Sequence, residues 1–291
     1  MEHAAVDMKG KTVVLTGGNA GIGKEAAIAL ARMGAQVAFT SRDAGRGAAA
    51  LAEIRERSGS DDVRCHALDL ASLASVRACA AELLDRYPKI DVLLNNAGLV
   101  LGERRTTVDG FEMTFGVNHL GHFALTALLV PRLGRSAPAR IVTVSSEAHR
   151  MARGMPWDDL QAERSYRAFL IYSRSKLANI LFTRALARRL EGTRVTANAL
   201  HPGYVASSFA ADGDLGGITE RLAAVSARLF AITPEQGART SVYLASSPEV
   251  EGKTGGYYAR CKPRTPTRFA LDDAAAERLW EVSEALTGCT I

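Results

Sequence analysis

The sequence predicts an α/β protein: one doubly wound, mostly parallel sheet of about seven strands, built by a single domain over residues 1–291. Three observations carry this. Short, continuous apolar runs recur along the chain, and a strand covered on both faces reads as an unbroken run rather than an alternating one. Longer Ala-rich amphipathic stretches separate the runs and serve as crossover helices, which are right-handed in nearly all such units. The length is large for one domain and short for two, and no Pro/Gly/Ser linker divides it.

In chain order, Thr12–Thr16 reads as the first buried strand and Lys24–Met33 as the helix after it. Gln36–Ser41 is the second strand, followed by a helix over Gly47–Arg57. Val63–Leu68, Val92–Leu94, Arg140–Ser145 and Arg194–Leu200 continue the series, and Gly256–Ala259 is the expected last strand.

With 47% hydrophobic and 23% charged residues, the chain is neither disordered, collagen-like nor a coiled coil. Apolar stretches such as Phe123–Val130 fall short of the roughly 20 residues of a membrane span. Met1–Lys9 lacks the apolar core of a signal peptide, so a cytoplasmic chain without membrane contact is expected. The net charge of +5 is dispersed, apart from Arg260-Cys-Lys-Pro-Arg264, so no nucleic-acid partner is expected. A phosphate-bearing ligand would suit one or two of the surplus arginines. Cys65, Cys79, Cys261 and Cys289 show no CxxC spacing, and neither a metal site nor a disulfide frame is expected.

After the first strand comes Thr16-Gly17-Gly18-Asn19-Ala20-Gly21-Ile22-Gly23-Lys24. Glycines let a backbone turn sharply near a ligand, and a helix start offers unpaired N–H groups to phosphate. By itself the run is equally a tight turn without a ligand. The end of the second strand favours a dinucleotide. Arg42 stands where an acidic residue would take a ribose 2′-hydroxyl, and a guanidinium there suits a 2′-phosphate. NADP(H) is therefore expected over NAD(H), with Asp43 binding NAD as the alternative.

Tyr172-Ser-Arg-Ser-Lys176 places a phenol and an ammonium four apart, on one helix face. A tyrosine with an ordinary pKa near 10 becomes a usable acid and base when a fixed cation favours its phenolate. Ser145-Ser146 and Asn95-Asn-Ala97-Gly98 end strands at the edge where open α/β sheets bind ligands. Asn118 and His201-Pro202-Gly203 complete the set.

In this order, the motifs closely resemble the short-chain dehydrogenase/reductase family, whose domain is of Rossmann type. The matches run from Thr16 to Ser207: the glycine turn, Asp69-Leu70, Asn95–Gly98, Asn118, Ser146, Tyr172-x-x-x-Lys176 and Pro202-Gly203. Asp109–Phe123, Ser175–Arg184, Cys261-Lys262 and Ala275–Trp280 look like the retinol dehydrogenase-like branch. The resemblance implies that Tyr172 exchanges the proton of the substrate oxygen. Lys176 lowers the tyrosine pKa and holds the nicotinamide ribose, and Ser146 hydrogen-bonds the substrate oxygen. Ser145 is structural, and Asn118 positions a water towards Lys176. It further implies cofactor contacts from Gly17, Asn19, Gly21, Ile22 and Gly23. Asp69 and Leu70 would touch the adenine, and Asn95, Ala97 and Gly98 the adenine-side ribose. Pro202, Gly203, Val205 and Ser207 would meet the nicotinamide end.

The expected partner is a small apolar aldehyde, ketone or alcohol, and a homo-oligomer is compatible with the family. Two segments should decide the substrate: Glu147–Ile171, with Met151, Met155 and Trp157, and a covering segment around 204–235. Its stripe of Ile218, Leu222, Val225, Leu229 and Phe230 reads as a core face or as a lid. Two rival functions remain at this level: a non-catalytic dinucleotide-binding redox sensor, and an acyl-transfer enzyme with Ser173 as nucleophile in Ser173-x-x-Lys176. His119 and His122, three apart, read as packing or capping residues.

Overall fold

The computed structural model describes residues 6–203 and 232–291. The covering segment up to residue 231, its apolar stripe, Val205 and Ser207 therefore lie outside the described residues.

Eight strands form one sheet: β1 (Thr12–Leu15), β2 (Gln36–Ser41), β3 (Val63–Ala67), β4 (Val92–Asn95), β5 (Ala139–Val144), β6 (Val195–Leu200), β7 (Tyr257–Ala259) and β8 (Lys262–Arg264). Their spatial order is β3-β2-β1-β4-β5-β6-β7-β8. All neighbours are parallel except β7 and β8. The eighth strand is an addition to the expected series. Its three residues are all exposed and include Pro263, so no apolar run announces it.

Successive residues of β1 feed opposite cores. Val14 joins Leu93, Ile141 and Ala197 on one face, while Val13 and Leu15 join Leu94, Val142 and Leu200 on the other. Helices α1 (Gly21–Arg32) and α2 (Ala44–Ser58) cover the second face. Helices α3 (Leu73–Arg86), α4 (Met113–Ser136) and α5 (Ala168–Arg189) cover the first. Late in the chain, α6 (Pro234–Ser246) returns to the second face and α7 (Asp273–Thr287) to the first.

The helix α4 is longer than its apolar run suggested. At 24 residues it is long and apolar enough to cross a membrane, yet 83% of its most apolar window is buried inside the protein. Phe123 of α4, Phe182 of α5 and Trp280 of α7 meet there, with ring centroids 5.1–5.9 Å apart. Arg188 and Arg189 of α5 bind Glu277 of α7, clamping the helix that carries Tyr172 and Lys176.

Candidate active site

The chain order reverses between β1 and β4, so their C-terminal ends open a crevice, the usual ligand site of such sheets. The glycine turn lies on one side of it. Thr16 Oγ1 accepts from Asn96 N (2.9 Å) and Ala97 N (3.0 Å), and Asn96 Nδ2 donates back to Thr16 O (2.9 Å). A side chain at Gly23 would strike Gly17 O and Asn96 Nδ2, so glycine is required for α1 to start against this turn. The N-cap of α1, Ala20, offers no side-chain acceptor, and the first turn holds no acidic residue. Gly17, Asn19, Gly21 and Ile22 thus surround uncapped helix N–H groups, an environment that suits a phosphate.

His122 joins this turn to Asn118. Its Nε2 lies 2.9 Å from Thr16 Oγ1 and its Nδ1 3.2 Å from Asn118 O. Every group is satisfied when Nδ1–H donates to the carbonyl and the Thr16 hydroxyl donates to Nε2. Burial keeps the ring neutral, its pKa pushed down to about 4. Sequence inspection missed this role, because His122 is 106 residues from Thr16 and resembles a packing histidine. His119 does pack: its Nε2 reaches Ser283 Oγ at 2.8 Å, deep in the aromatic cluster.

Asn118 sits in a π-helical turn, Gly116–Leu120, within α4. Such turns release backbone groups from the regular helix pattern and recur at functional sites. Its amide is fully occupied: Oδ1 accepts from Leu99 N (2.8 Å), and Nδ2 donates to Leu99 O and Ser175 Oγ (2.9 Å each). Both amide hydrogens are thus used, and a water held by Asn118 would have to donate to one of its oxygens, such as the carbonyl that it shares with His122.

The residues expected to carry the chemistry lie across the crevice. Lys176 is buried and donates to Val144 O at 3.1 Å. Desolvation pushes its pKa down to about 8. Its Nζ lies 5.7 Å from the centroid of the Tyr172 ring. Burial raises Tyr172 to about 12, and the Ser146 hydroxyl opposes that rise through a hydrogen bond. Ser146 also caps the turn Glu147–Met151, accepting from Ala148 N. Ser145 donates instead to Lys176 O at 2.7 Å, a structural part. Gly98 leaves the space between these groups open, since a Cβ there would lie 3.2 Å from Lys176 Nζ and 3.3 Å from Asn118 Oδ1.

Several expected contacts need correction. The Asn95 side chain turns into the core, donating to Thr126 Oγ1 at 3.0 Å, so only its main chain can meet a ribose. The Leu70 side chain is buried against Gly121, which leaves its backbone for an adenine edge. Asp69 accepts from Ala71 N at 2.9 Å and is half-exposed. Met155 is buried in the core and Trp157 lies under Arg278, so of Met151, Met155 and Trp157 only Met151 is exposed. Ser173 is buried and donates to Phe169 O at 2.6 Å, which removes it as an accessible nucleophile. Pro202 and Gly203 follow β6 at the same edge, Gly203 with φ +100°.

The family described as short chain dehydrogenase matches residues 11–214, and the chain belongs to that family. Within it the chain is retinol dehydrogenase-like. It is 47% identical to human retinol dehydrogenase 14 over 294 residues, covering 97% of this chain and 87% of the relative. A crystal structure of an uncharacterised protein from Mycobacterium paratuberculosis is similar at a TM-score of 0.79 and 37% identity, covering 99% of this chain and 98% of the other. The Pseudomonas aeruginosa RhlG/NADP active-site complex is similar at a TM-score of 0.70 and 27% identity, covering 88% and 96%. The chain is therefore an oxidoreductase of CH–OH and C=O groups that uses a nicotinamide dinucleotide.

Proposed function

We propose that the chain is an NADP(H)-dependent enzyme that moves a hydride between nicotinamide and the carbonyl or alcohol carbon of a moderately large apolar substrate, with Tyr172 as general acid and base. The convergence of Tyr172, Lys176 and Ser146 beside the glycine turn carries this reading. When bound, the dinucleotide supplies or takes the hydride. In reduction, Tyr172 Oη gives its proton to the substrate oxygen as negative charge builds there; in oxidation it takes the proton back. Burial holds Tyr172 as the phenol at neutral pH, the form that reduction needs. Lys176 is a cation short of solvation, so a phenolate forming beside it is stabilised. Ser146 orients the substrate oxygen towards Tyr172.

The cofactor preference rests on the end of β2. Arg42 is exposed and makes no hydrogen bond or ion pair with the described residues. Asp43 is already engaged as the N-cap of α2, accepting from Arg46 N at 2.7 Å. A free guanidinium beside an occupied carboxylate supports a 2′-phosphate over a 2′-hydroxyl. Retinaldehyde and retinol are the first substrates to try, given what the relatives are named for. A cytoplasmic setting suits the four cysteines, all free. Titration with NADPH and NADH side by side should show at least about tenfold preference for NADPH, narrowed by Arg42→Ala. Equal affinities would remove the cofactor assignment, and no binding of either would remove the proposal.

A further inference from the structure

We infer that His201 is a positioning residue that fixes the Pro202–Gly203 turn with one ring nitrogen and registers it against the Ser146 turn with the other. The inference rests on the oxidoreductase reading, since it concerns how the nicotinamide end of that site is held.

The backbone pins His201 on its strand. Its N–H donates to Tyr258 O at 3.0 Å, and Ser145 N donates to Leu200 O at 2.7 Å on the other side. The ring then folds back on its own chain: Gly203 N donates to His201 Nδ1 at 3.1 Å. Nδ1 is therefore an acceptor, and the ring proton sits on Nε2. Nε2 lies 3.5 Å from Glu147 Oε2, the carboxylate of the residue directly after Ser146. One imidazole thus touches both loops between which the substrate carbonyl and the nicotinamide must meet.

The turn needs holding. Gly203 adopts φ +100°, and a Cβ there would come within 2.7 Å of Ile232 Cδ1. The chain is left with a glycine, the residue with most freedom, at the point where a cofactor contact must be ordered. A single N–H to Nδ1 restrains it.

His201 is surrounded by titratable and charged groups. Glu147, His149 and Arg150 face it from the turn after β5, Tyr257 stacks on it from β7, and Arg260 lies in the turn beyond. Burial, Arg150 and Arg260 favour the neutral ring, and Glu147 opposes them. Acid that overcomes this balance puts a proton on Nδ1, opposite the Gly203 N–H. Two donors then face each other and the restraint is lost.

The experiment compares wild type, His201→Leu and His201→Asn, with NADPH and retinaldehyde as probes and with NADPH binding followed by fluorescence. An asparagine Oδ1 occupies the place of Nδ1 and keeps the acceptor, without a group that titrates. His201→Leu should raise the KM for NADPH about tenfold at neutral pH, with a smaller change in kcat. His201→Asn, which keeps the Gly203 acceptor and gives up the reach to Glu147, should recover most but not all of that loss at neutral pH. It should also lose the rise in NADPH KM that wild type shows as pH falls below about 6.5. Equal NADPH KM values for the Leu and Asn variants would overturn the inference. So would an Asn variant that keeps the acid rise, even if the Leu variant does not fold. A wild type that neither binds nor oxidises NADPH would overturn the oxidoreductase reading itself, whereas an active wild type matched by His201→Leu overturns only the role of His201.

Discussion

The two walls of the crevice are built on opposite principles. On the glycine-turn wall, Thr16, Asn96, Ala97, His122 and Asn118 satisfy one another through hydrogen bonds of 2.9–3.2 Å. On the catalytic wall, Lys176 makes one described hydrogen bond, and burial pushes its pKa down to about 8 and that of Tyr172 up to about 12. On the first wall these groups satisfy one another, and the uncapped N–H groups that open α1 are left for a ligand. The second buries two ionisable groups whose charged forms are disfavoured; for Lys176, still a cation at neutral pH, this costs stability, and negative charge developing beside it relieves the cost. Shape and chemistry are thus divided between β1–β4 and β5–α5.

Breaking the catalytic wall should remove turnover and little else. Tyr172→Phe keeps the ring and deletes the proton, so kcat should fall by about 10³-fold while NADPH still binds. Measured turnover near wild type would end the assignment of Tyr172. Breaking the other wall should do the reverse. Thr16→Val leaves the N–H groups of Asn96 and Ala97 and the acceptor nitrogen of His122 without a partner. Urea unfolding should show a loss of roughly 2–3 kcal/mol, with NADPH affinity weakened alongside. If Thr16→Val unfolds like wild type and instead loses only kcat, the division between the walls is wrong.

The same contrast explains what could be read beforehand. Strands β1, β2 and β4 to β6 were legible because burial on both faces demands apolar runs, β3 with its exposed Arg64 was legible only from its place in the series, and β8 was not, because Lys262-Pro-Arg264 is exposed and resembles a basic turn. Tyr172 and Lys176 stood out because a phenol and an ammonium four apart share a helix face, and Ser146 because it ends a strand at the edge where such sheets bind ligands. The Thr16–His122 bond was hidden, since nothing local marks a contact spanning 106 residues. The orientation of Asn95 was hidden for a related reason. Its motif placed it at the right strand end, but which way an amide turns depends on Thr126, on a helix packed over that end. Met155 and Trp157 likewise look like substrate contacts until the core beneath them is seen.

The smallest expected effect is the sharpest test of the electrostatic claim, because its sign runs against intuition. Lys176 binds its proton less readily in the folded chain, near pH 8, than its ordinary 10.5. Between those values the unfolded chain holds the extra proton, so the Lys176 contribution to stability should rise as pH climbs from about 8 to about 10.5, while buried groups such as Cys79, pushed up to about 12, pull the total the other way. Below pH 8 both states are charged and the folded chain bears the full desolvation cost. Lys176→Met removes that cost and keeps the volume. It does not orphan Val144 O, which still accepts from Asn179 Nδ2 at 3.1 Å. The variant should therefore be inactive yet more stable than wild type at pH 7, by about 1 kcal/mol after the lost hydrogen bond is counted, and that advantage should shrink as pH climbs from about 8 to about 10.5. A Lys176→Met chain less stable than wild type at pH 7 would mean that the ammonium is held by more favourable contacts than Val144 O, and that the catalytic wall is as settled as the glycine turn.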